Sequence, residues 1–214
     1  MRIDLHTHTH RSGDSTTTMA EFCQGVDAAH LDYVAVTDHL TIEGAVQLRG
    51  LLGARIIIGQ EMRVTEGELI GLFLERQIPP GLRAAQAAAR IREQGGLVYA
   101  PHAGDGSRVS LSLADLGQLC ENGLIDIVEV ANSKAKPSAI LPGAEKIAQL
   151  FGVAEGAGSD AHVESALGST YVDVGDAPVS NPAELLAALR VGSVHATYCD
   201  PPRAFRSRIV PASG

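Results

Sequence analysis

The chain has 214 residues, 45 % hydrophobic and 4 % aromatic, with no tryptophan, so one domain with a core of Ala, Val, Leu and Ile is expected. A formal net charge of -8 argues against stable binding of duplex nucleic acid and leaves room for a small phosphorylated substrate or short nucleic acid. No apolar run reaches the about 20 residues that a membrane span needs. Cys23, Cys120 and Cys199 are odd in number and far apart, which points to a reducing compartment rather than a disulfide framework. The Met1-Arg2-Ile3-Asp4 start shows no signal-peptide pattern, so the expected location is the cytoplasm.

Along the chain, short β-rich runs alternate with Ala/Leu-rich stretches. A strand over 2–5 releases His6-Thr7-His8, and a helix covers 19–29. A strand over 33–36 releases Thr37-Asp38-His39, and a helix covers 43–52. The strand over 55–58 ends near Glu61, and another covers 69–74. A helix over 83–94 is stopped by Gly95-Gly96. The strand over 97–100 releases Pro101-His102, followed by a helix over 113–122, a strand over 125–130 and a helix over 142–151. The strand over 153–157 releases Gly158-Ser159-Asp160-Ala161-His162. Asn181-Pro182 reads as N-cap and first residue of a helix over 182–190, before a last strand over 194–197. Residues 1–200 read as one domain and 201–214, with three prolines, as a C-terminal tail.

Strands alternating with helices imply βα units and a largely parallel sheet. Five strand ends carry His or carboxylate side chains. In a closed parallel barrel those ends share one face, where active sites lie; an open doubly wound sheet would expose them only near a switch point.

The pattern reads as a metal site. In His6-x-His8, residues i and i+2 of an extended strand face the same side, so two imidazoles can reach one ion. Asp160-x-His162 repeats the spacing. Six of the eight histidines (6, 8, 10, 39, 102 and 162) follow expected strands. Asp14, Glu61, Glu68 and Asp160 bring four negative charges to the same pocket as His6, His8, His39, His102 and His162. Without cations those carboxylates would repel, and some would protonate. Two or three divalent ions remove the conflict, and the mixed imidazole/carboxylate set favours Zn, Mn or Fe.

The ordered motifs Asp4-Leu5-His6-Thr7-His8, Thr37-Asp38-His39, Gly59-Gln60-Glu61, Ala100-Pro101-His102 and Gly158-Ser159-Asp160-Ala161-His162 resemble those of the PHP (polymerase and histidinol phosphatase) superfamily. The resemblance covers residues 2 to about 175. It implies a distorted (β/α)7 TIM-like barrel of seven parallel strands with a di- or trinuclear metal site. It assigns His6, His8, Glu61 and Asp160 to one metal position, with Glu61 bridging. His102, Glu61 and a residue near Glu68 form the second position; Asp14, His39 and His162 form the third. Many members have a His where Glu68 stands, so Glu68 is the expected substitute ligand and Glu66 its alternative. The family's His-Pro is here His102-Ala103. The stretches 67–73, 101–108 and 126–133 look like the small stand-alone phosphoesterases.

The resemblance implies hydrolysis of a phosphate mono- or diester by an in-line water activated between metal ions. Glu61 and Asp160 are the catalytic candidates on the cluster. Arg108 is the candidate phosphate clamp, with Lys134 and Arg11 as further phosphate ligands. His10 is either a proton donor to the leaving group or a surface histidine. Asn132 reads as a hydrogen-bonding support, Glu129 as a buried structural partner, and His30 and His195 as structural. The rival readings are a histidinol-phosphate phosphatase, a metal-dependent amidohydrolase on the same site, and a non-catalytic metal-binding module.

Overall fold

Short polar residues and prolines start several of the helices where the pattern places them. Thr18 and Glu21 form a capping box on α1 (Met19–Ala28). Ser112 caps α4 (Leu113–Glu121), and Asn181 with Pro182 opens α6 (Pro182–Leu189). The other helices are α2 (Glu43–Leu52), α3 (Ala84–Arg92) and α5 (Pro142–Phe151). All six lie within two residues of the expected bounds. The computed structural model describes residues 1–202, so the tail expected at 201–214 lies, apart from Pro201 and Pro202, outside the described residues.

The strands are β1 (Arg2–Thr7), β2 (Tyr33–Val36), β3 (Ile56–Val64), β4 (Gly67–Leu72), β5 (Leu97–Ala100), β6 (Ile127–Asn132), β7 (Ala154–Gly158), β8 (Tyr171–Asp173) and β9 (Ser193–His195). They form one sheet in the order β7-β6-β5-β4-β3-β2-β1-β8-β9. The exit of β7 folds back on β1: Asp160 N–H donates to His6 O at 2.7 Å and His8 N–H to Ala161 O at 3.0 Å. The first seven strands thereby make a nearly closed, distorted barrel, while β8 and β9 extend the sheet from the start of β1.

One expectation is corrected. The seven barrel strands are not all parallel, because β4 runs antiparallel to both β3 and β5. The turn at 65–66 into Gly67 (φ 153°) is too short for a crossover helix, so a hairpin forms instead. β3 therefore runs on to Val64, and Glu61 lies within the hairpin rather than at a strand end. β8, a three-residue strand, was not expected from the pattern.

Ile3, Leu5, Ile57, Ile70, Tyr99 and Ile127 fill the barrel, and Leu185, Ala188 and Leu189 of α6 join this core. On β1 Ile3 and Leu5 precede His6 and His8, so the mouth beyond them is left to polar groups. Helices α3, α4 and α5 cover one outer face of the barrel, and α1 and α2 another.

Two bulges aim the polar residues. From Asp4 to Thr7 β1 advances three residues while β2 advances two, from Val34 to Val36. The extra residue reverses the alternation, so Leu5 stays in the core and His6 and His8 take the interior above it. In β6 the step from Glu129 to Ala131 is matched by one residue of β7, from Gly156 to Ala157. This sets the Asn132 amide 3.0 Å from the Glu129 carboxylate. Gly158 makes room for both: a Cβ there would lie 2.3 Å from His6 Cβ and 3.0 Å from Glu129 Oε1. Gly158→Ala is expected to cost about 1–3 kcal/mol in denaturant unfolding, as overpacking does; an unchanged midpoint would refute this close fit.

Candidate metal centre

The barrel mouth gathers all nine expected ligands. His6 Nε2 and His8 Nε2 are 3.1 Å apart. Each lies 3.3 Å from Glu61 Oε2, and Asp160 Oδ1 is 3.6 Å and 3.3 Å from them. Glu61 Oε1 faces His102 Nε2 at 3.1 Å, and Glu68 Oε2 lies 3.9 Å from the same nitrogen. Asp14 Oδ2 is 3.4 Å from His39 Nε2 and 3.0 Å from His162 Nε2, while His39 Nδ1 is 3.4 Å from Glu61 Oε2. Four overlapping sets result, each with donor atoms within 4.8 Å of one another: His8/Asp14/His39/His162, His6/His102/Asp160, His6/His8/Glu61 and His39/Glu61/Glu68.

The hairpin places the two glutamates differently. Glu68 pairs with Arg63 across β3 and β4, two residues along from Glu61, and so shares its face. Glu66 sits at the turn, where its carboxylate accepts the Ala84 N–H at 2.8 Å.

These residues fit divalent cations. Both rings of the His6-x-His8 pair are held by the nitrogen that faces away from the cluster. His6 Nδ1–H donates to Glu129 Oε1 at 3.1 Å, and His8 Nδ1 lies 3.1 Å from Ser12 Oγ. A carboxylate behind His6 Nδ1 leaves its Nε2 as a lone-pair donor, the arrangement found behind metal-bound histidine, and Ser12 steadies the His8 ring. Ser12 Oγ also accepts the His39 N–H at 3.0 Å, so one hydroxyl steadies two candidate ligands.

Electrostatics shows the strain without cations. Burial opposes charge on His6 and His8, but the carboxylates overrule it. Asp160, Glu61 and Glu129 lift His6 well above the usual imidazole range, and hydrogen bonds to Asp160 and Glu61 raise His8 to about 9. Burial would raise Glu61, but His6 and His102 hold it well below the usual carboxylate range. Burial would likewise raise Asp160; Lys134 and His6 bring it down. Burial and the neighbouring His8 push His162 down to about 4. Protons on His6 and His8 stand where cations would compensate the carboxylates.

The candidate anion-binding groups divide. Arg108 reaches the cluster: Nε donates to Asp105 Oδ2 at 2.8 Å and Nη1 to Asp160 Oδ2 at 2.5 Å. Lys134 Nζ lies 3.2 Å from Asp160 Oδ1 and 2.7 Å from His162 Nδ1. Both line a cleft of about 430 Å³ with Asp14, His39, Glu61 and Glu68. Arg11 and His10 are not brought to that lining. They sit on a 3-10 turn at His10–Ser12; Arg11 is drawn to Glu43 (3.7 Å) and Gln47 (3.5 Å) of α2, and His10 Nδ1 lies 3.3 Å from Thr17 O. Left-handed Gly13 then turns the chain back. Sequence reading missed Ser12, Tyr99 and Asp105. It placed Glu129 as a structural partner, and its signal was a carboxylate inside the apolar run Ile127-Val128-Glu129-Val130.

Fold and cluster together define an α/β barrel able to hold metal ions at its mouth. The chain belongs to the PHP domain family, which matches residues 4–152; a PHP-associated family matches residues 143–194. It is 40 % identical over 115 residues to uncharacterized protein MJ1587 of Methanocaldococcus jannaschii, covering 48 % of this chain and 67 % of that one. It is 32 % identical over 191 residues to uncharacterized protein MJ0417 of the same organism, covering 86 % of this chain and 75 % of that one. A solved two-domain protein from Bacteroides vulgatus, described as containing a predicted PHP-like metal-dependent phosphoesterase, superposes with a TM-score of 0.74 at 18 % identity over 92 % of this chain. The chain spans 65 % of that protein's length.

Proposed function

We propose that this protein hydrolyses phosphate mono- or diesters of small phosphorylated metabolites, nucleotides or short oligonucleotides, using two or three divalent ions (Zn, Mn or Fe). The observation that carries the reading is co-location. A metal-type donor set and two cations, Arg108 and Lys134, share one cleft and one carboxylate, Asp160. Phosphate needs such cations; a carboxamide does not.

His6, His8, Glu61 and Asp160 would hold one ion, Glu61, His102 and Glu68 a second, and Asp14, His39 and His162 a third. Divalent cations held there would supply a nucleophile at neutral pH and Lewis-acid polarisation of the ester. Glu61 would serve two of these positions, since its two oxygens face different imidazoles. Asp160 holds the Arg108 guanidinium with Asp105, so that donor is oriented before an anion arrives. Lys134 adds a second positive group on the same wall. The free cysteines Cys23, Cys120 and Cys199 fit the proposed cytoplasmic location.

The test is a metal-supplemented screen of phosphomonoesters, phosphodiesters, nucleotides and short oligonucleotides, with an amide panel beside it. Turnover of a phosphate ester with inorganic phosphate as competitive inhibitor is the expected result, and it excludes a non-catalytic module. Amide hydrolysis indifferent to phosphate would replace this reading with an amidohydrolase. Arg108→Ala is expected to raise KM for the phosphate ester roughly tenfold to a hundredfold, the loss of a charge-assisted hydrogen bond. An unchanged KM would remove Arg108 from the anion site.

A further inference from the structure

Glu129, on β6, has no exposed surface. Four donors converge on its two oxygens. Oε1 accepts Tyr99 O–H at 2.7 Å and His6 Nδ1–H at 3.1 Å. Oε2 accepts the His102 backbone N–H at 2.6 Å and Asn132 Nδ2–H at 3.0 Å. A carboxylate offers about four lone-pair sites, so this one is filled with donors. His102 itself stands at φ 31°, a conformation that costs energy for a side chain and persists where neighbours fix it. Asn132 passes the connection on: its Oδ1 accepts the Lys134 N–H at 3.0 Å and lies 3.5 Å from Arg108 Nη2.

We propose that Glu129 is a positioning residue that couples the metal cluster to the anion-binding wall. One oxygen sets the ring of His6, the other sets the backbone of His102, and Asn132 carries the register to Lys134 and Arg108. Tyr99, also fully buried, completes the shell of one oxygen. Glu129 touches neither ion nor substrate; it acts through His6, His102 and Asn132. The anion-binding half of the claim rests on the phosphoesterase reading, whereas the metal half does not.

The test has three readouts that need no turnover. In the zinc-loaded wild-type protein, ¹⁵N NMR of the imidazoles is expected to show His6 protonated at Nδ1 with Nε2 on the metal; the reverse assignment overturns the proposal. In Glu129→Gln, the amide turns a donor either toward His102 N–H and Asn132 Nδ2–H or toward His6 Nδ1–H and the Tyr99 hydroxyl, and of these four the hydroxyl alone can accept by simple rotation. Zinc affinity, measured by chelator competition on protein shown by circular dichroism to be folded, is expected to fall roughly 10–100-fold. Inorganic phosphate is expected to bind the zinc-saturated variant more weakly than wild type.

Tyr99→Phe keeps the carboxylate and three donors and is expected to lose zinc affinity by a few-fold at most. Wild-type zinc affinity in Glu129→Gln overturns the proposal. So does an equal loss in Tyr99→Phe, which would mark a packing effect. Should Glu129→Gln fail to fold, the wild-type NMR assignment still decides. A wild-type protein that hydrolyses no phosphate ester, yet loses zinc in Glu129→Gln, would sink the proposed activity and leave the metal-positioning role standing.

Discussion

Asp160→Ala is expected to lower metal-supported hydrolysis of p-nitrophenyl phosphate and thymidine p-nitrophenyl phosphate on the order of 10³-fold, comparable with loss of one preorganised transition-state stabiliser. The carboxylate serves two sets of partners. It lies within 3.6 Å of His6 Nε2 and 3.3 Å of His8 Nε2, and it pairs with both Arg108 and Lys134. Its removal takes a donor from the cation cluster and leaves two positive side chains facing that cluster without their shared counter-charge. Both effects weaken cation binding, so added metal should recover little activity. Asp160→Asn keeps the size but not the charge and should behave nearly the same. His8→Ala tests the other side of the set by removing one of the two imidazoles that face Glu61. Activity retained in either alanine variant at saturating metal would refute the site.

The second large effect is thermal. Saturating one site at about 100 times its dissociation constant adds roughly 2.7 kcal/mol, which for a chain of this size shifts the melting temperature by roughly 5–10 °C. Chelation should remove that shift. The sign of the pH dependence sharpens the test. His8 is raised from 6.5 to about 9 in the folded metal-free protein. Its contribution is therefore complete below pH 6.5 and is lost as pH rises through about 9. His6 moves in the same direction.

The metal-loaded protein behaves oppositely, because its ligands bind as neutral imidazoles and protons compete with the ion. Between pH 6.5 and 9 the gap between loaded and chelated melting curves should widen. Asp4, raised to about 6 by burial, and His162, lowered to about 4, titrate below this window and do not blur it. Parallel curves across the window would contradict the arrangement of His6 and His8 around Glu61 and Asp160.

The helices and the side chains that gather at the barrel mouth were legible in the sequence for a local reason. Caps such as Thr18, Ser112 and Asn181 and strand-end clusters such as His6-Thr7-His8 are written in neighbouring residues. What escaped depends on distant pairing. A turn at 65–66 gives no warning that β4 runs backwards, because its neighbours Leu69 and Ile70 suit either direction. The extra residues in β1 and β6 are visible only against the strand beside them, yet they decide which side chains face inward. Adjacency in sequence is not adjacency in space: Arg11 and His10 stand next to the HxH motif, but the turn directs Arg11 toward α2. Glu129 was visible as a carboxylate in an apolar strand, while its four donors come from Tyr99, His6, His102 and Asn132, brought close only by folding.

The last barrel seam is stitched by Asp160 and His8 themselves, through the amides that meet His6 O and Ala161 O. Closure of the cylinder and the spacing of the candidate metal donors are therefore one event. Breathing between the first and seventh strands would spread the donors as it parts the backbone. Amide exchange at those two residues should report ion loss before any change is felt in the helices outside.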